Sequence, residues 1–542
     1  MLRNTGGEAR SRYAVLVTRR ALTREELIAA ERRRLTLPPH GRLSVGIGYP
    51  NSYSVGMSSL AFQWVAEIAA HHPDAAVERF VADEHLAGVT LDGGRPLGDL
   101  DVLAFSLSFE LDAVHLLRIL DAAGVPRRRR QRDRHPLVVV GGAVASINPL
   151  PLADAVDVFA VGAAELLLPD LLELTGRMPS REALLAELAL RDGFFVPEHH
   201  LGPDGWPAVR VRRIEKRDRH MTAAAMVPAS HAVTEHTEYR RRGLVEMSRG
   251  CPEKCRYCWV SHNYGRLRCY PADAILDRVQ ELAAITDRVG FVATAVGDHP
   301  ELARILAHSH DLGMDIAISS LRIPSVVAEV LEPLAASGAR SITIAPETGS
   351  DELRRRLNKP IPNDRILAAV DSAQVAGIPN LKMYFIIGLP GESDDDVLAI
   401  ADLLRASHEI IVAHGRARGQ VGALHAGFSI LVPKPYTPYG RESMIDGREA
   451  RRRLRMLESV LARVPNLRWD RPSYREARWQ AYLARAGSGA LPLLERAADG
   501  APLGRLLADH ATEIDRVTLQ PATGTPPWQF ITSAPAVSAS SD

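Results

Sequence analysis

Cys251-Pro252-Glu253-Lys254-Cys255-Arg256-Tyr257-Cys258, followed by Cys269, contains all four cysteines of a 542-residue chain. The C-x3-C-x2-C spacing puts three thiols on one loop, where they can wrap a single cubane iron–sulfur cluster and leave its fourth iron without a cysteine ligand. An iron left open in this way can bind a substrate or cofactor. Zinc is the other metal reading, because four thiolates can close a tetrahedral site, although zinc ribbons usually present two separated C-x2-C knuckles. Cys269 lies outside the spacing and reads as a buried or free thiol rather than a fourth ligand.

Tyr257, immediately before the third cysteine, completes the pattern C-x3-C-x-Φ-C, and at this point the chain resembles the radical S-adenosylmethionine (SAM) superfamily. The resemblance implies that Cys251, Cys255 and Cys258 hold a [4Fe-4S] cluster whose open iron chelates the amino and carboxylate groups of SAM, with Tyr257 beside the cofactor. Electron transfer then cleaves a carbon–sulfur bond, which requires an electron donor such as flavodoxin or ferredoxin.

An apolar share of 46% and a formal net charge of +1 describe a globular protein without a global field that would recruit nucleic acid or a membrane surface. No stretch is apolar enough to span a bilayer, and the segment MLRNTGGEARSRYAVLVTRR lacks a signal-peptide core. The expected location is the cytoplasm, which also keeps iron-binding thiols reduced. Of 66 basic residues only Lys216, Lys254, Lys359, Lys382 and Lys434 are lysines. Arginine is thus the default cation, the run Arg127–Arg130 reads as a solvated loop, and a retained lysine can mark a position that needs a compact ammonium.

Outward from the cysteines the pattern is α/β on both sides. Residues 40–175 alternate apolar runs (Leu43-Gly48, Val77-Val81, Asp101-Leu107, Pro136-Val140, Val156-Val161) with helical segments near 57–71, 110–124 and 163–174, which predicts a doubly wound, Rossmann-like parallel sheet. Ligands on such sheets bind beyond the carboxyl ends of the strands. Those ends carry the loop from Tyr49 to Met57, then Ser106-Leu107-Ser108-Phe109-Glu110, then Gly141-Gly142-Ala143. Placed before the cysteine motif, this domain looks like the cobalamin-binding type found in cobalamin-dependent radical SAM proteins. The resemblance makes Tyr53, Gly56, Met57, Ser106, Ser108, Gly141 and Gly142 the candidate cobalamin contacts. Asp83-Glu84-His85-Leu86-Ala87-Gly88 matches a cobalt-ligand pattern, D-x-H-x-x-G, but follows the second strand instead of the first and reads as accidental. Residues 176–240 read as an irregular connector with a small hairpin near Pro207-Val211, residues 441–532 as a helical region and 533–542 as a disordered tail.

Residues 241–440 predict a partial (β/α)6 TIM-type barrel, with strands at Gly243-Met247, Arg288-Val296, Met314-Ser320, Ser341-Ala345, Leu381-Ile387 and Gly427-Val432. Function in such barrels gathers at the carboxyl ends of the strands. Gly297 and Asp298 end the second strand, Ser319, Ser320 and Arg322 the third, and Glu347 the fourth. By resemblance these are candidate SAM contacts, with Ser320 alternatively a helix cap and Glu347 alternatively a carboxylate at a helix N-terminus. The fifth strand runs into Gly388-Leu389-Pro390-Gly391-Glu392 and resembles the adenine-contacting strand of the family, which makes Ile386 and Gly388 further SAM contacts. Side-chain alternation then turns Tyr384 and Lys382 inward with Ile386. Lys382, Tyr384 and Lys434 are the catalytic candidates, and both lysines read equally well as structural ion pairs. The span from 40 to 440 resembles cobalamin-type radical SAM proteins, which implies methylation of an unactivated carbon in a small molecule or peptide. A non-methylating rearrangement or cyclisation is the alternative, with a degenerate or zinc-stabilised binding protein behind it. A tRNA methylthiotransferase would need a second three-cysteine set.

Overall fold

The computed structural model describes residues 21–221 and 226–533. Residues 534–542, most of the expected disordered tail, lie outside the described residues.

The N-terminal part is built on a six-stranded sheet. Its spatial order is Ala75–Val81, Leu43–Tyr49, Val102–Ser106, Leu137–Gly141, Val158–Ala160 and Phe194–Phe195, parallel throughout except for the last pair. Every residue of the first two strands is buried, as expected where helices cover both faces of a parallel sheet. The order in which strands are added reverses between the parallel neighbours Leu43–Tyr49 and Val102–Ser106, so the crevice at their carboxyl ends is the topological switch point where such sheets take ligands. Helices Leu60–Ala70 and Ala164–Arg177 pack together over one face. On the other face Ala113–Ala122 meets Leu491–Ala498 from the far end of the chain.

The second part is a parallel half-barrel in two ladders. One contains Gly243–Glu246, Arg288–Val292 and Asp315–Ile318, the other Ser341–Glu347, Asn380–Ile387, Leu424–Ile430 and Leu467–Asp470. The ladders are linked where Leu321 N–H donates to Thr343 O at 2.9 Å. Six of these strands match the predicted ones, and Leu467–Asp470 is a seventh within a region read as helical. Four residues show too little alternation to be recognised, and this strand is held by pairing with Leu424–Gly427.

Long-range contacts refine the readings of residues 127–130 and 176–240. The small hairpin is present, with Leu201 paired antiparallel to Pro207, and beyond it Val211–Arg212 pairs in parallel with Ile531–Thr532. The stretch after residue 176 is not irregular throughout, because helix Arg181–Ala189 and the edge strand Phe194–Phe195 complete the first sheet. Nor is the arginine run wholly a solvated loop, although Arg128 and Arg130 are exposed. Arg127 meets Asp121 and, at 2.7 Å, Asp499; Arg128 meets Glu495 at 2.7 Å; and buried Arg129 pairs with Glu198. These contacts and a shared core containing Phe105, Leu117, Trp479, Tyr482 and Leu494 bind the C-terminal helices to the first sheet. Among the described residues no helix is long and apolar enough to cross a membrane.

Candidate active site

The cysteine loop follows the first barrel strand. Cys251 and Cys255 are buried, Cys258 is half-buried before helix Trp259–Asn263, and all four thiols are free. Burial pushes the Cys255 thiol up to about 11 and raises Cys251 as well, a penalty that a bound cation would reverse. Among the described residues no three His, Cys, Asp or Glu side chains converge on a point that would grip a single metal ion. Three soft sulfur donors spread along one loop suit a cluster, which distributes its ligands over several irons. Cys269 lies across a short antiparallel pair from Ser248, outside the loop.

Three of the predicted SAM residues converge on this loop. Arg322 bridges Asp298 to Glu253 within the cysteine motif, and the second carboxylate oxygen of Asp298 is buried without a partner. A free acceptor tied through Arg322 to the cysteine motif is what an incoming ammonium requires. Glu347 is in the left-handed region (φ +69), at an irregularity in its strand's register. Backbone strain of this kind persists only where the surroundings enforce it. Here they do: Glu347 Oε1 accepts from Tyr257 Oη at 2.6 Å and from Lys359 Nζ at 2.8 Å, while Lys359 also donates to Ala345 O. Glu347 is therefore not a free helix-end carboxylate but the strut that fixes the aromatic of the cysteine motif.

The other predicted residues differ in their surroundings. Gly297 packs so closely that a Cβ would lie 2.3 Å from Ser325 Cβ, Ser319 is exposed, and Ser320 caps no helix. Along Asn380–Ile387 the side chains alternate as expected: Leu381, Met383, Phe385 and Ile387 are buried, while Lys382, Tyr384 and Ile386 face the barrel interior. Ile386 packs in one cluster with Tyr257. Lys382 Nζ is 4.9 Å from the Tyr384 ring centroid, and that ring leans on Gly427, where a Cβ would come within 2.6 Å. Lys434 is not free for chemistry, since it pairs with buried Glu110, which also accepts from Gln480 Nε2 at 2.9 Å. That contact joins barrel rim, first sheet and C-terminal helix.

Gly388 (φ +86) closes the turn after the strand. Its N–H donates to Glu392 Oε2 at 2.7 Å, and Arg453 reaches the same oxygen at 2.8 Å. Burial outweighs both contacts and pushes the Glu392 carboxyl up to about 7. A carboxyl whose folded pKa lies above its unfolded value adds stability at low pH that is lost as pH rises through the folded value. Glu392→Gln is therefore expected to flatten the fall in Tm between about pH 4.5 and 7. Thermal scans across that range check it, and an unchanged slope would exclude this carboxyl as the cause.

Between the carboxyl ends of the first sheet and the barrel lies a cavity of about 330 Å3. Ser106, Gly141 and Gly142 line it opposite Glu246, Arg249 and Gly250, the residue before Cys251. Gly142 (φ +96) lies tight against the neighbouring strand-end loop, where a Cβ would come within 2.6 Å of Leu107 O. The other proposed cobalamin contacts are elsewhere: Tyr53, Gly56 and Met57 are buried in a short core helix, with Tyr53 Oη donating to Glu31 at 2.7 Å, and Ser108 is exposed outside the cavity lining. His85 is exposed, with Nε2 2.8 Å from Leu22 O.

Sequence reasoning missed the polar wall of this cavity. Buried Glu165 accepts from Trp64 Nε1 at 2.8 Å, Lys216 Nζ at 2.8 Å and Arg249 at 2.7 Å, and Arg249 also holds Glu246. It missed Lys359, although a lysine in an arginine-rich chain was a usable signal, and His425–Asp470, paired at 3.1 Å inside the barrel.

The model describing the N-terminal region of radical SAM proteins matches residues 62–197, and that of the radical SAM superfamily matches residues 245–404. The chain belongs to the radical SAM superfamily. As a radical SAM protein it is 24% identical over 447 residues to the uncharacterized protein MJ0966 of Methanocaldococcus jannaschii, covering 82% of this chain and 88% of that one. It is 26% identical over 190 residues to tRNA-2-methylthio-N(6)-dimethylallyladenosine synthase of Sorangium cellulosum, covering 30% of this chain and only 38% of the synthase. Among solved structures it is similar to the cobalamin-dependent S-adenosylmethionine radical enzyme OxsB with aqua-cobalamin and S-adenosylmethionine bound. The TM-score is 0.50 at 14% identity, covering 88% of this chain and 67% of that one. At that identity the likeness is one of fold, the Rossmann-like domain followed by the radical SAM barrel.

Proposed function

We propose that this radical SAM enzyme uses a [4Fe-4S] cluster on Cys251, Cys255 and Cys258 to cleave SAM, and that it is a cobalamin-dependent methyltransferase acting on an unactivated carbon. The observation that carries the reading is the cavity joining the sheet's switch point to the residues just before Cys251, lined on one side by Ser106, Gly141 and Gly142. OxsB, of similar fold, is described as cobalamin-dependent, which supports a corrinoid here. When bound, these groups would supply a 5′-deoxyadenosyl radical and a methyl carrier. The protein's own residues do the positioning. Asp298 offers its unpartnered oxygen to the amino group of SAM, Glu347 and Lys359 hold Tyr257 against Ile386, and Lys382 and Tyr384 face the space left for substrate.

A second reading is a radical SAM enzyme that rearranges or cyclises a small molecule without methyl transfer. The absence of Tyr53, Gly56, Met57 and Ser108 from the cavity lining favours it. Anaerobic reconstitution with hydroxocobalamin followed by gel filtration separates the two. Co-elution of about one corrinoid per chain, with 5′-deoxyadenosine and S-adenosylhomocysteine both released from SAM, is expected. Release of 5′-deoxyadenosine from a chain that retains no corrinoid would transfer the assignment to the second reading.

A further inference from the structure

A second cavity, of about 480 Å3, shares no lining residue with the one between sheet and barrel. Its walls are Leu150, residues 204–206, residues 485–490 and a segment running from Glu513 to Trp528. Arg485 ends helix Tyr474–Arg485 at this wall and is 2% exposed. One of its nitrogens donates to Glu442 O at 2.8 Å, its Nε has no hydrogen-bond partner, and its guanidinium carbon is 5.8 Å from the Trp528 ring centroid. Buried Arg79 and Arg132 each face a carboxylate, and buried Arg213 has the oxygens of Asn263 and Ser533, whereas Arg485 forms no ion pair among the described residues and has Glu442 O as its hydrogen-bond acceptor. An arginine cannot shed its charge to escape burial, so a buried guanidinium with an unused N–H favours an anionic partner.

The carboxylates of the cavity wall are engaged or remote. Glu513 accepts from Tyr482 Oη at 2.5 Å and Asp204 accepts from Trp206 N at 3.0 Å; Glu442, outside the cavity lining and exposed, holds Arg485 through its main-chain oxygen, and its carboxylate acts on the guanidinium from beyond ion-pair distance. The fourth charge on the wall, Arg516, is exposed and adds to the positive field. Beside Arg485 the wall is open, since a Cβ at Gly487 or Gly489 would meet nothing within 4 Å. We propose that this cavity binds a small molecule bearing a carboxylate or phosphate, with the anion on Arg485 and a planar or apolar body against Trp528 and Trp206. Such a site is separate from the SAM and corrinoid positions, and its failure would leave the proposed reaction untouched.

The test is calorimetric titration of the full reconstituted chain with phenyl phosphate, benzoate and inorganic phosphate at constant ionic strength, alongside hydrogen exchange. Saturable binding of at least one probe is expected, with slowed exchange in residues 485–490 and 520–528. The preferred probe distinguishes a phosphate from a carboxylate ligand. Arg485→Met should weaken binding roughly tenfold or more, the usual loss for a charge-assisted contact, and Arg516→Gln by no more than about twofold. Gly489→Trp fills the open wall without touching Arg485 and should abolish binding, which keeps the test decisive if Arg485→Met fails to fold. Lack of saturable binding by all three probes, or binding unchanged in Gly489→Trp, would overturn the proposal.

Discussion

Cys255→Ala is expected to reduce the iron content of anaerobically reconstituted protein from about four per chain to background and to abolish 5′-deoxyadenosine release. The effect should be all-or-none, because the three thiols share one loop and no second cysteine set exists from which a ligand could be recruited. Cys251→Ala and Cys258→Ala should behave alike. Cys269→Ala should keep most of its iron, since that residue sits on the strand pair opposite Ser248, apart from the loop. Iron analysis with visible absorption reads all four variants. Normal iron in Cys255→Ala would refute the ligand assignment, and loss of iron in Cys269→Ala would reopen the four-thiolate reading.

Arg79→Met should be the most damaging single change to stability, costing roughly 3–5 kcal/mol. Arg79 is fully buried in the second strand of the first sheet. It donates to both oxygens of Glu31, at 3.0 and 2.8 Å, and to both oxygens of Asp92, at 2.8 and 3.1 Å. Removing it leaves two carboxylates in a low-dielectric interior with half-buried Arg33 as the cation they share and Tyr53 Oη as a neutral donor to Glu31. Despite their burial, the Arg79 guanidinium holds Asp92 and Glu31 below the ordinary carboxylate range. Depressed carboxylates contribute stability that is present above their unfolded pKa and lost as pH falls through the folded values. Wild-type stability should therefore decline below about pH 4, whereas the variant, whose carboxylates prefer to be protonated, should gain on mild acidification. Urea denaturation at several pH values measures both. A variant within about 1 kcal/mol of wild type would mean that the network contributes little net stability.

The sequence by itself determined the cluster motif and the two parallel-sheet halves. Both are written locally, the first in the spacing of Cys251, Cys255 and Cys258, the second in apolar runs separated by helical periodicity. Alternation along Asn380–Ile387 likewise announced that Lys382, Tyr384 and Ile386 share one face. Only the tertiary structure decided which charges were free and which were spent. Lys434 reads equally as a catalytic candidate or a structural ion pair until Glu110, from the other domain, is seen to hold it, and Glu347 reads as a SAM contact or a helix-end carboxylate until Tyr257 and Lys359 meet it. The same holds for the arginine run claimed by Asp499 and Glu495, and for Arg485, whose missing partner shows only once its burial is known. The physical reason is common to all four. A buried ionic group is defined by partners far away in the chain, and neither propensity nor periodicity records them.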